Sequence, residues 1–156
     1  MKLGQTMALD QPSLKGRALR LLSLREHSRA ELVRKLQPFE EEPGSLAQAL
    51  DELQAKGFIS EQRVIESVVH RRSAKLGTQR IRQELQSKGL APEAVLQAVE
   101  QLRATELDRA HEVWRKKFGS PPVDAAERAK QMRFLAGRGF GGEVIHKVVA
   151  GASLQE

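Results

Sequence analysis

Residues 28–53, SRAELVRKLQPFEEEPGSLAQALDEL, align without a gap to residues 77–102, GTQRIRQELQSKGLAPEAVLQAVEQL, at an offset of 49. Leu32 falls on Ile81, Leu36 on Leu85, Pro43 on Pro92, and Leu46, Leu50 and Leu53 on Val95, Val99 and Leu102. A second match, at an offset of 50, places LAGRGFGGEVIHKVV (135–149) on LQSKGLAPEAVLQAV (85–99). There Leu135 meets Leu85, Gly139 meets Gly89, Phe140 meets Leu90 and Ile145 meets Val95. Apolar residues that recur at helical spacing within a unit of about 50 residues define stacked helical modules.

On either side of these segments and within them, helices are expected at about 14–25, 28–37, 45–56, 60–75, 77–88, 92–103, 105–118, 124–137 and 141–150. Ser28, Ser45, Ser60, Thr78 and Asp124 stand where side-chain oxygens cap helix N-termini, and Pro92 suits a first turn. Gly57, Gly89 and Gly139 stand where helices end. No segment alternates as a strand does. The expected fold is therefore all-α, an elongated tandem array of three three-helix repeats resembling helix-turn-helix units. The boundaries are an N-terminal tail 1–13, repeats 14–57, 58–104 and 105–150, and a C-terminal tail 151–156.

Composition agrees. Of 156 residues, 40% are hydrophobic and only 4% aromatic, so the core must be aliphatic. The absence of cysteine excludes disulfides, thiol nucleophiles and cysteine-ligated zinc. The first thirteen residues hold no apolar stretch of signal-peptide length, and no later run approaches the roughly 18 apolar residues of a membrane span. A soluble, cytoplasmic protein without membrane contact is expected.

The segment GRGFGGE (137–143) satisfies G-x-G-x-x-G, the spacing of a dinucleotide-binding turn. That fingerprint requires a preceding strand in a βαβ unit. Here a helix precedes it, and the repeat alignment assigns the segment to the turn between a second and a third helix, with glycine supplying backbone at positive φ. His27, His70, His111 and His146 lie 35 to 43 residues apart, without a ligand at helical spacing, so no metal site is expected and surface or rim positions are. No nucleophile elbow and no lysine-bearing phosphate loop is present. The FEEEP stretch (39–43) reads as a solvated acidic loop. Neither enzyme activity nor a cofactor is expected.

Charge is banded. Residues 14–36 carry seven Lys or Arg against two Glu, residues 40–66 carry seven acids against Lys56 and Arg63, and residues 67–90 carry six basic residues against Glu84. A third basic cluster, Arg115, Lys116 and Lys117, closes the helix that bears Trp114. With a net charge of +6, these bands suit contact with nucleic acid or an acidic protein surface. The candidate contacts are Arg25, Arg29, Arg71, Arg72, Lys75, Arg80, Arg82, Lys88, Arg115, Lys116 and Lys117. A helix-turn-helix transcriptional regulator is the alternative reading, yet SLAQALDELQAK (45–56) places Asp51 and Glu52 on the helix that would enter a major groove.

The segments LDELQAKGFISEQRVIESVVHRRSAKLG (50–77) and GTQRIRQELQSKGL (77–90), within three tandem units, resemble the RecX regulators of the bacterial RecA recombinase over about residues 14–150. The resemblance implies a non-enzymatic protein that lodges in the helical groove of the RecA–DNA filament and restrains strand exchange, ATP hydrolysis and coprotease action. It also implies RecA as partner. Arg71, Arg72, Lys75, Arg80, Arg82 and Lys88 fall in its most recognisable stretch. The basic bands suit contact with single- or double-stranded DNA through its phosphates, and a monomer is expected. In the third unit Gln131 and Met132 replace the Ile81–Arg82 pair.

Overall fold

A computed structural model describes residues 11–154. Among them are eight α-helices and no strand: α1 (Leu14–Leu24), α2 (Arg29–Leu36), α3 (Ser45–Ala55), α4 (Glu61–Arg72), α5 (Thr78–Ser87), α6 (Pro92–Lys117), α7 (Ala125–Gly137) and α8 (Gly142–Leu154), with a 3-10 turn at Gln37–Phe39. The all-helical expectation holds. Most of the segment expected as an N-terminal tail lies outside the described residues, and α8 continues to Leu154, beyond the expected end at 150. The chain forms two compact units that meet in sequence at Val64 and Ile65, inside α4.

In the first unit α1, α2 and α3 pack on one another. They bury Ala18, Leu32, Leu36, Leu46, Leu50, Leu53 and Ile59. Ser28 and Glu31 form a reciprocal capping box, the Ser28 Oγ accepting from Glu31 N at 3.1 Å and the Glu31 carboxylate accepting from Ser28 N at 3.1 Å. Ser45 and Thr78 are instead the first helical residues, after Gly44 and Gly77. The acidic loop is not wholly solvated: Glu40 is half-buried and its Oε2 accepts from Leu46 N at 2.9 Å, covering an N–H at the start of α3.

His27 corrects the surface expectation. It is 1% exposed, with Nδ1 at 3.0 Å from the Arg25 carbonyl and Nε2 at 3.1 Å from Lys35 Nζ. With Nδ1 donating to the carbonyl, Nε2 is left to accept from the ammonium. Burial holds its pKa below the ordinary histidine value, the Arg25 and Lys35 charges add to this, and the bond to the Arg25 carbonyl opposes it. His70, His111 and His146 are exposed.

In the second unit α6 packs on α5, α7 and α8. The two helices expected at 92–103 and 105–118 are one continuous helix of 26 residues. No glycine or proline interrupts residues 93–118, and the middle of the helix is tied to the preceding turn by the buried Glu106 and the half-buried Arg109. Glu106 accepts from Thr78 N at 3.1 Å, at the N-terminus of α5. Arg109 donates to the carbonyls of Ser73 at 3.0 Å, Leu76 at 2.7 Å and Leu102 at 3.0 Å. Burial lowers the Arg109 pKa, opposed by the Glu106 charge.

Gln131, at the place of Ile81, is fully buried: its Oε1 accepts from the Trp114 indole at 2.8 Å and its Nε2 donates to the Ser120 carbonyl at 3.1 Å. The third repeat thus exchanges an aliphatic contact for a satisfied polar pair. The GRGFGGE segment is a helix-ending turn, but of its three fingerprint glycines only Gly139 has positive φ, at 94°. The Gly77 and Gly139 backbones approach so closely that a Cβ on either would overlap the neighbouring segment. Gly77 N donates to the Arg138 carbonyl at 2.8 Å and Gln79 N to the Gly139 carbonyl at 3.2 Å. These contacts fasten the start of α5 to the end of α7.

Candidate interaction surface

Three pieces of the second unit converge on one concavity. The turn after α4 supplies Ala74 and Lys75, the end of α6 supplies Val113, Lys116 and Lys117, and the end of α7 supplies Phe134 and Arg138, around a volume of about 390 Å³. All four cations are exposed, and no carboxylate lines the surface. Lys117 Nζ lies 5.3 Å and Arg138 Cζ 5.0 Å from the Phe134 ring centroid. Phe118 meets that ring edge-on at 5.5 Å. The aromatic face thereby orients two of the four charges.

The rest of the fold holds these groups in place. Arg109 grips the carbonyls on both sides of Lys75. Burial of Trp114 fixes the last turns of α6, where Lys116 and Lys117 stand. The Gly77–Arg138 hydrogen bond fixes the backbone of Arg138. Four positive charges without a lining carboxylate repel one another, and an anion placed among them relieves that repulsion. Lysine ammoniums act as point charges with no directional fork, so the surface suits phosphates or an acidic protein face rather than one small ligand.

Of the candidate contacts read from the sequence, Lys75, Lys116 and Lys117 meet here. Arg71 is exposed on the last turn of α4. Arg72 pairs with Glu84 at 3.2 Å, and Arg115 with Glu112 at 2.5 Å. Arg80 donates to the Gly137 carbonyl at 2.7 Å and packs against Gly139. Arg82 lines a separate groove between α5 and α6, and Lys88 caps α5. In the first unit Arg25 pairs with Glu31 at 2.7 Å, and Arg29 with Asp51 at 2.7 Å and with the Ala47 carbonyl at 3.2 Å. Arg138 was absent from the sequence candidates, although the repeat alignment carries its signal: Arg138–Gly139 falls on Lys88–Gly89.

Among the described residues no group of three or more His, Cys, Asp or Glu can hold a metal ion, and no helix is long and apolar enough to cross a membrane. Helical modules that present a charged surface define a class of repeat proteins whose work is contact with other macromolecules. The chain matches the three profiles of one family: RecX, first three-helix domain over 15–53, second over 60–99 and third over 104–149. It is 54% identical to the Regulatory protein RecX of Leptothrix cholodnii over 145 residues, covering 92% of each chain. It is 49% identical to that of Ralstonia nicotianae over 148 residues, covering 94% of this chain and 93% of the other. The crystal structure of RecX from Lactobacillus salivarius has the same fold, with a TM-score of 0.75 at 17% identity over 90% of this chain and 95% of that one. This chain belongs to the RecX family of regulatory proteins.

Proposed function

We propose that this protein is a non-enzymatic regulator of RecA that binds the RecA–DNA filament, in its helical groove, and inhibits its recombinase, ATPase and coprotease activities. The three modules, 14–57, 58–104 and 105–150, act together as a monomeric binding array in the cytoplasm. The observation that carries the reading is the Lys75, Lys116, Lys117 and Arg138 surface, in a family named for regulation. A nucleoprotein filament offers both phosphates and acidic protein surface, and four cations unopposed by lining carboxylates attract either. Contacts of this kind to DNA are to phosphates and carry no sequence information.

DNA-stimulated ATP hydrolysis by RecA, followed as the protein is added at fixed DNA, tests the reading. Inhibition at stoichiometric ratios is expected. The K75E/K116E/K117E variant should keep its helical spectrum and lose inhibition, because three exposed attractions become repulsions. The E41K/E42K variant, reversed at two exposed acids, should inhibit as well as the parent or better. Unchanged inhibition by the triple variant removes this surface from the reading, and absence of inhibition by the parent removes the RecA role. A preference for one short duplex of roughly a thousandfold over random duplex would establish a DNA-reading regulator instead.

A further inference from the structure

A groove between α5 and α6, of about 370 Å³, has a different chemistry from the four-cation surface. Its floor is aliphatic, built from Leu90, Val95 and Val99, all buried. At its edge Leu96 remains 57% exposed, a large apolar side chain left in water beside an apolar slot. Arg82 and Arg103 border the same groove, and the side chain of neither makes an ion pair or hydrogen bond to another described residue. No carboxylate lines it.

We propose that this groove docks a helical segment of a partner protein, carrying one large apolar side chain bracketed by a carboxylate one turn on either side. The apolar side chain enters the slot and is covered by Leu96, and the two carboxylates meet Arg82 and Arg103. Residues four apart on a helix share a face, so a Glu-x3-Leu-x3-Glu pattern presents all three groups together. Guanidinium pairs with carboxylate through two parallel hydrogen bonds, more selectively than an ammonium does. Nucleic acid is the poorer occupant. The floor has no aromatic ring on which a base stacks, and a phosphate backbone leaves the apolar slot unfilled.

The test uses the full chain with labelled Leu and Val methyls and three synthetic helical peptides: one with the Glu-x3-Leu-x3-Glu face, one with both Glu changed to Lys, and one with Leu changed to Ser. The acidic peptide should shift the methyls of Leu90, Val95, Leu96 and Val99, and the other two should not. The R82E/R103E variant should weaken binding at least about tenfold. R103E alone, at an exposed position, should weaken it in the same direction if the double variant loses its fold. The proposal is overturned if the acidic peptide leaves the groove methyls unmoved, if the lysine peptide moves them equally, or if an oligonucleotide moves them at lower concentration. It is likewise overturned if the same methyls shift with protein concentration alone while sedimentation reports association, since the occupant is then a second copy of this chain. RecA inhibition is read separately, so either outcome here leaves that reading standing or falling by its own assay.

Discussion

The first unit and the second differ in where their basic residues end. In the first, Lys15 meets Glu52, Arg25 meets Glu31, Arg29 meets Asp51 and Arg63 meets Glu26, while Arg17 stacks on Phe39 and Lys35 is held by His27. In the second, Arg72 and Arg115 find carboxylates, but Lys75, Lys116, Lys117 and Arg138 gather on one surface without one. Basic residues thus end as internal ties in both units, but in the second four of them also form an open cationic surface. Part of the cause lies in the acids. Residues 40–66 place Asp51 and Glu52 on α3, within reach of α1 and α2, whereas residues 67–90 contain Glu84 alone.

Substitution at a buried position should have the largest effect. Leu85→Asp puts a charge where the parent side chain is wholly enclosed, and should cost roughly 4 kcal/mol or more and dismantle the second unit. Loss of helical ellipticity would show it, and a native-like melting curve would deny it. Gly139→Ala comes next and has a matched partner in the first unit. Both Gly57 and Gly139 have positive φ, 84° and 94°, but a Cβ on Gly57 meets nothing within 4 Å while one on Gly139 overlaps Arg80. Gly57→Ala should cost about 1–2 kcal/mol from backbone conformation alone. Gly139→Ala should cost distinctly more, and equal denaturation midpoint shifts would refute the close approach.

Restoring the repeat at its departure gives a smaller effect. Gln131→Ile strands the Trp114 indole N–H in the core and should destabilise by about 1–3 kcal/mol. Trp114→Phe added to it removes the stranded donor, so the double variant should recover part of that loss in a double-mutant cycle. Simple additivity would mean the pair is uncoupled.

Acidification should act through His27 in the first unit. Its folded pKa lies below the ordinary value of 6.5, so as pH falls through 6.5 the unfolded chain takes up a proton that the folded chain refuses. Stability contributed by the neutral imidazole is present above that value and declines as pH falls below it. His27→Gln should flatten the acid side of a stability–pH curve, and a slope identical to the parent's would count against this origin. The smallest effect belongs to the surface ties. Asp51→Asn should cost less than about 1 kcal/mol by chemical denaturation, since the Asp51 side chain is largely exposed.

How much could be read from the chain varies by feature. Leu32, Leu36, Ile81, Leu85, Val95, Val99 and Leu102 are all buried, as the repeat period requires, because an aliphatic stripe at helical spacing has one way to leave water. Helix ends at Gly57, Gly89 and Gly139 were legible for the same local reason, since each turn needs positive φ. Burial of His27 was not legible, because the Arg25 carbonyl and Lys35 that receive it are arranged only when the turn before α2 folds back.

Spacing along the chain set the helical segments, their repetition and the aliphatic core, because neighbours along the chain enforce it, and the family was legible in the segments 50–77 and 77–90. Packing between distant segments set the rest: α6 runs unbroken, Gln131 is satisfied by Trp114, and Arg138 joins Lys75, Lys116 and Lys117. Those outcomes depend on which groups separated along the chain come within a few ångströms. Hydrogen bonds and charges act over that distance, and no periodicity records it.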